Sequence, residues 1–137
     1  MSDVLSPEQR HRCMANIKSK NTKPEIIVRS AVWSLGYRYR LHKKDLPGKP
    51  DLVFTKSKKI ILVHGCFWHM HSCRFGRVIP KTNAVFWQVK RLSNRTRDKK
   101  NMKDLKNLGW HVFVVWECQT RDIPKLIVKI ERFLKWP

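Results

Sequence analysis

The sequence predicts an α/β fold, a single domain in which helices flank a mixed β-sheet. Three observations predict it. Apolar spacing changes from helical to strand period and back, two β-branched runs stand on either side of a short charged turn, and a further β-branched run follows a long helical stretch.

Two helix starts are clear. Ser6-Pro7-Glu8-Gln9 and Thr22-Lys23-Pro24-Glu25 each offer a hydroxyl N-cap, a proline at the helix start and a Gln or Glu three residues after the cap. The first opens a short basic helix to about Ile17, within residues 1–20. The second opens a helix whose apolar residues (Ile27, Ala31 and Leu35, with Val28 and Val32) recur every four positions until Gly36. Residues 37–42 alternate as a strand, and Leu46-Pro47-Gly48-Lys49-Pro50 is a turn. Residues 51–55 and 60–64 flank a charged turn and read as a hairpin. Residues 65–80 form an irregular loop dense in Cys, His and aromatic side chains. A very basic helix from Ala84 to about Leu108 follows, closed by Gly109; then come a buried strand at 110–116 and an amphipathic helix at 123–134.

The chain has 137 residues, the size of one ordinary domain, and at 42% hydrophobic it can build a core. Its 30 Lys and Arg outweigh 10 Asp and Glu, a formal charge of +20. Such an excess repels itself in a compact domain, so a polyanionic partner is the natural explanation, nucleic acid first and an anionic membrane surface second. No apolar run approaches the roughly 20 residues of a spanning helix. The N-terminus lacks the charged-then-apolar order of a signal peptide. The expected location is therefore a reducing cytoplasm, where cysteines ligate metal more readily than they form disulfides.

Cys66, His71 and Cys73 fall within eight residues, and Cys118 follows the last strand. Three soft ligands in one loop plus a distant fourth suit tetrahedral zinc, structural because four protein ligands close it. The alternative is buried thiols and an ordinary loop histidine. Cys13 is left over as a free helical thiol. Pro50-Asp51 opens one hairpin strand and His64 ends the next, so antiparallel pairing would bring them together, with His69 five residues further on. A carboxylate that binds Mg²⁺ beside imidazoles that take a proton from water makes a plausible nuclease centre; an Asp after Pro is also a common turn residue. Glu25 is explained equally by helix capping or by a metal, Asp98 by a helix salt bridge amid Arg95, Arg97, Lys99 and Lys100. His42 reads as a solvated strand-end residue.

Taken together these residues resemble the very short patch repair (Vsr) DNA mismatch endonucleases. The likeness runs from Arg12-Cys13-Met14 to Trp116-Glu117-Cys118. Its most specific segments are Leu46-Pro47-Gly48-Lys49-Pro50-Asp51-Leu52-Val53-Phe54 and His64-Gly65-Cys66-Phe67-Trp68-His69-Met70-His71-Ser72-Cys73, with Phe86-Trp87, Arg97-Asp98 and Leu108-Gly109-Trp110. The resemblance implies a restriction-endonuclease-like core and Mg²⁺-dependent cleavage of double-stranded DNA on the 5′ side of the thymine in a T·G mismatch, the lesion left by deamination of 5-methylcytosine. It makes Asp51 the metal-binding catalytic acid and the Val63 backbone carbonyl a second ligand. His64 and His69 attend the scissile phosphate, with His69 the better base. Glu25 reaches the metal through water, and Asp98 orients a histidine. Cys66, His71, Cys73 and Cys118 hold zinc. Met14, Phe67 and Trp68 become apolar wedges between base pairs, with residues 1–20 contacting DNA. It also implies a nucleoid-associated monomer linked to a cytosine-5 methyltransferase and a repair polymerase.

Wedging is sensible on its own terms, since inserting rings into a base stack costs a few kcal/mol per step and least at a mismatch; the alternative places Phe67 and Trp68 in the core. One departure stands out. The superfamily's usual acid and lysine, (D/E)xK, are missing from the strand Leu62-Val63-His64-Gly65, where histidines replace the lysine and the number of Mg²⁺ ions is left open. Two rivals remain at this point: a zinc-containing DNA-binding module without catalysis, and a restriction-type nuclease of the same fold.

Overall fold

The computed structural model describes residues 22–69, 71–74, 76–79 and 81–136. The expected helix within residues 1–20, with Cys13 and Met14, lies outside the described residues.

Helix α1 (Lys23–Ser34) starts where the sequence marks it: Thr22 is extended, and its hydroxyl accepts the Glu25 N–H at 3.4 Å. It stops at Leu35, after which Gly36 takes φ +91°, a conformation that a side chain would strain. The sheet runs β1 (Arg40–Leu41), β2 (Leu52–Phe54), β3 (Lys59–His64), β4 (His111–Trp116) in that spatial order. The first two pairings are antiparallel and β3–β4 is parallel. A parallel pair needs a long crossover, which the loop after β3 and helix α2 (Ala84–Asn107) supply. A 3₁₀ turn (Glu117–Arg121) and helix α3 (Ile123–Lys135) complete the described chain.

Side chains alternate across the sheet and sort into two cores. Leu52, Phe54, Ile61 and Val115 meet Val28, Ala31 and Val32 of α1 and Leu126, Ile130 and Leu134 of α3. On the other face Val53 and Ile60 meet Leu105 of α2. Helices therefore cover both faces, which is why β2 and β3 read as unbroken apolar runs. Each fully buried Leu, Ile or Val contributes about 1.5–3 kcal/mol. Among the described residues no helix is long and apolar enough to cross a membrane.

Three local expectations change. Of the strand expected at 37–42, only Arg40–Leu41 pairs: Tyr37 and Tyr39 pack against the first core, and His42 leaves the strand at φ +46°. The strand at 110–116 is a sheet edge, and only its Val115 is fully buried. The 3₁₀ turn was not foreseen; it forms because the Gln119 side chain accepts the Trp116 N–H at 2.9 Å and the Thr120 hydroxyl donates to Glu117 O at 2.6 Å.

Lys59, 3% exposed at the start of β3, donates from Nζ to the Leu134 carbonyl at 2.8 Å and also to the Trp136 carbonyl. It thereby caps the last turn of α3 and ties that helix to the central strand. Hydrogen bonds from a charged donor are worth about 1.5–3 kcal/mol each, so Lys59→Met should lower the unfolding free energy by about 2–4 kcal/mol in urea titration. A change below about 0.5 kcal/mol would show that the cap carries no weight.

Candidate active site and metal centre

The turn before β2 places Asp51. Gly48 sits at φ +76° against α2, where a Cβ would come within 2.7 Å of the Asn101 amide, so only glycine allows the turn to lie so close. Asp51 Oδ2 then accepts the Val63 N–H at 2.8 Å, across the open end of the hairpin. Glu25 joins it from the first turn of α1, 2% exposed. Its Oε2 accepts from Arg29 at 2.9 Å, and its Oε1 is bonded to His42 Nε2 at 2.5 Å. The carboxyl thus faces the site, and Thr22 caps the helix.

His42 is the residue that the sequence reading missed. Its Nε2 lies 4.0 Å from Asp51 Oδ1 and its N–H donates to the Asp51 carbonyl at 3.2 Å. Glu25, His42 and Asp51 offer ligand atoms within 4.8 Å of one another. The register places it there: β1 pairs Leu41 with Leu52, so the next step sets His42 opposite Asp51. Burial, opposed by the Val63 N–H and reinforced by the Glu25 carboxyl, pushes Asp51 up from 3.8 to about 7. A buried carboxyl and a half-buried one that repel each other are a place where a cation is favourable. Their hard oxygens suit Mg²⁺. Val63, whose carbonyl was expected to help hold it, lines the same cleft.

His64, the last residue of β3, stacks face to face on His69 with centroids 4.0 Å apart. Asp98, from the middle of α2, accepts a hydrogen bond from His69 Nδ1. With Asp98 ionised, Nδ1 carries the proton and Nε2 is left as an acceptor. Burial first, then the neighbouring His69, lowers His64 from 6.5 to about 4, against the opposing pull of Asp98, so His64 is neutral at physiological pH.

Cys66, His71, Cys73 and Cys118 come together behind this array, with ligand atoms within 4.8 Å of one another. Cys118 donates its N–H to Cys66 Sγ at 3.3 Å, and its Sγ stands 3.6 Å from His71 Nδ1. The His71 ring stacks on Trp116 at 4.1 Å. Burial, partly offset by that N–H, pushes the Cys66 thiol up to about 12, with Cys73 and Cys118 adding to the rise. Three sulfurs and one imidazole gathered in this way match the donor set of a tetrahedral zinc, whose bonds of about 2.0–2.3 Å would draw the ligand atoms to under 4 Å apart.

Phe67 and Trp68, half-buried, neither join the core nor stand free. Their rings meet edge to face with centroids 5.3 Å apart, and both contact Trp87. They line a cleft of about 700 Å³ with Glu25, Asp51, His69 and Lys90. A second cleft of about 590 Å³ reaches His42 and His64 and shares Asp51, His69 and Asp98 with the first. Met14, expected as the third wedge, lies outside the described residues.

The sequence profile of the family described as DNA mismatch endonuclease Vsr matches residues 2–75. A protein named Type II nicking enzyme V.XorIIP from Xanthomonas oryzae pv. oryzae is 47% identical over 134 residues, 98% of each chain. Type II nicking enzyme V.NmeAIP from Neisseria meningitidis is 44% identical over 122 residues, 89% of this chain and 86% of the relative. DNA mismatch endonuclease Vsr from Escherichia coli is 36% identical over 138 residues, 99% of this chain and 88% of the relative.

Asp51 and His64 pull stability in opposite directions with pH. Asp51, raised from 3.8 to about 7, adds stability that is full below 3.8 and lost as pH rises to 7. His64, lowered from 6.5 to about 4, adds stability that is full above 6.5 and lost as pH falls to 4. The windows nearly coincide, so the pair should leave metal-free protein with a flat profile between them. Asp51→Asn should expose a loss on acidification and His64→Asn a loss on alkalinisation, read by urea unfolding at about pH 4.5 and about pH 6.5. Flat profiles in both variants would show that neither group is shifted.

Proposed function

The chain belongs to the Vsr family of DNA mismatch endonucleases and is a DNA endonuclease, and on that premise we propose that it makes a Mg²⁺-dependent single-strand nick 5′ to the thymine of a T·G mismatch. The observation that carries this reading is one cleft holding a carboxyl pair, a histidine array and a pair of aromatic rings.

Asp51, oriented by the Val63 N–H on its Oδ2, and the Val63 carbonyl would hold the metal. Bound there, Mg²⁺ would polarise a phosphate oxygen of the strand to be cut. Glu25 acts through water, held in place on one oxygen by Arg29 and on the other by His42. His69 takes the proton of the attacking water on Nε2, while Asp98 fixes its tautomer and balances the imidazolium that forms. His64, neutral and stacked beneath, offers no competing positive charge and fixes the ring plane of His69. Phe67 and Trp68, with Met14, press into the base stack, which yields most readily at a mismatch. The exposed Lys and Arg of α2, among them Lys90, Arg95, Lys99 and Lys103, hold phosphates of any sequence. Zinc on Cys66, His71, Cys73 and Cys118 is structural.

In this reading a monomer in the bacterial cytoplasm works on nucleoid DNA, downstream of a cytosine-5 methyltransferase and upstream of a repair polymerase. A second reading, nicking at a fixed sequence without a mismatch, is favoured by five relatives named type II nicking enzymes.

Nicking should require Mg²⁺, stop with EDTA, and be fast on T·G duplexes with varied flanks and slow on their C·G counterparts. Equal cutting of both duplexes at one sequence would establish the second reading. Asp51→Ala should abolish nicking with DNA affinity intact, and His69→Ala should slow it about 10²–10⁴-fold. A nicking rate near wild type in Asp51→Ala rules out the proposed metal site.

Metal analysis of purified protein should find close to one zinc per chain. Cys118→Ser should lose the zinc and melt at lower temperature, because a structural zinc contributes on the order of 10 kcal/mol in small peptides. Active protein free of zinc would remove the claim.

A further inference from the structure

Arg91 is 2% exposed in the middle of α2, a helix whose other fully buried residue among those described is Leu105. Its guanidinium does not pair with a carboxylate among the described residues. All three nitrogens donate to main-chain carbonyls of the loop between β3 and α2: Nε to Phe67 at 2.8 Å, Nη1 to Val78 at 2.9 Å, and Nη2 to Gly76. The fork also lies over the Phe67 ring, with Cζ 4.5 Å from the centroid.

We propose that Arg91 is a positioning residue for mismatch recognition: it latches the loop to α2 and so sets where Phe67 and Trp68 stand in the cleft. The proposal rests on the reading that these rings meet the mismatch. The cysteine and histidine cluster anchors the loop from one side, through Cys66, His71 and Cys73, against Cys118. Between Cys66 and His71 the segment carrying the two rings is tied to α2 by side chains: Asn94 Nδ2 donates to the Trp68 carbonyl at 3.2 Å, and Arg91 holds its start at Phe67. Arg91 supplies a second anchor by gripping the loop near both of its ends, at Phe67 and at Gly76 and Val78. The ring pair lies directly along the grip: Phe67 is held by both its carbonyl and its face, and the neighbouring Lys90 Nζ stands 5.5 Å from the Trp68 ring.

The planar fork matters more than the charge. A guanidinium fixes several acceptors in set directions, whereas an ammonium is a compact charge on a flexible stem. A ring pressed into stacked bases meets an opposing push, and a loop that yields under it follows any duplex alike. Discrimination then falls while phosphate binding, carried by other side chains, is untouched.

Hydrogen exchange and competition binding on Arg91→Lys and Arg91→Ala test this, with Trp68→Ala as companion. Exchange across residues 65–79 should rise about tenfold, the change that about 1.4 kcal/mol of local opening produces, while β2 and β3 keep their protection. The ratio of T·G to C·G affinity should fall about tenfold at fixed salt, with matched-duplex affinity unchanged. Unchanged loop exchange in both variants overturns the latch. So does a loosened loop that keeps full discrimination where Trp68→Ala loses it. If Trp68→Ala itself keeps discrimination, the wedge reading fails, and loop exchange alone decides whether Arg91 holds the loop. Loss of protection in β2 and β3 of both variants overturns the proposal too, and makes Arg91 a core residue.

Discussion

Parallel neighbours end on the same side of a sheet, and in this protein that constraint assembles everything else. The register pairs His64 with Trp116, the last residues of β3 and β4. Two residues beyond each strand end stand Cys66 and Cys118, already in contact through the Cys118 N–H and the Cys66 sulfur. The antiparallel partner of β3 starts at that same edge, so Asp51 arrives beside Val63. One register therefore places a histidine, two cysteines and a carboxyl. A slip of one residue would reverse which side chains face each core and separate the cysteines at once.

The electrostatic arrangement has a similar economy. The surface carries most of the +20 formal charge, while Glu25, Asp51 and Asp98 are drawn inward. A polyanion is attracted from any direction, but the cleft floor carries acidic groups that would repel its phosphates in the absence of a cation. Attraction is thus general and seating is conditional. The neutral His64 fits the same logic, since stacked imidazoles 4.0 Å apart resist a second positive charge.

Much of this was legible in the residues. The cap at Thr22, the stop at Gly36, the hairpin turn and the ends of α2 and α3 rest on local chemistry that a sequence displays directly. The grouping of Cys66, His71, Cys73 and Cys118 was legible because few other arrangements explain those residue types in one loop. His42 was not, because its role follows from a left-handed backbone and from a strand too short to show its period. Glu25 was ambiguous for a physical reason: a carboxyl at the third helical position can turn back to the cap or outward, and only Arg29 and His42 decide it. Arg91 was hidden among many cations, since nothing in a basic helix marks the one that turns inward.

The split of the cysteine and histidine cluster between two distant segments bears on how the chain folds. Cys66 and Cys118 are 52 residues apart in sequence, and the contact between them forms only after α2 has crossed the sheet and β4 has docked. Non-local parallel pairing of this kind is intrinsically slow, because loop-closure entropy is lost before the contacts that repay it are made. Three ligands on one loop would hold a metal loosely in a half-folded chain. The fourth would close the shell only on a molecule in which β4 has already docked beside β3. A metal held there would then act as a proofreading step for the fold, retaining the chains that have completed the crossover and leaving the others free to open and try again.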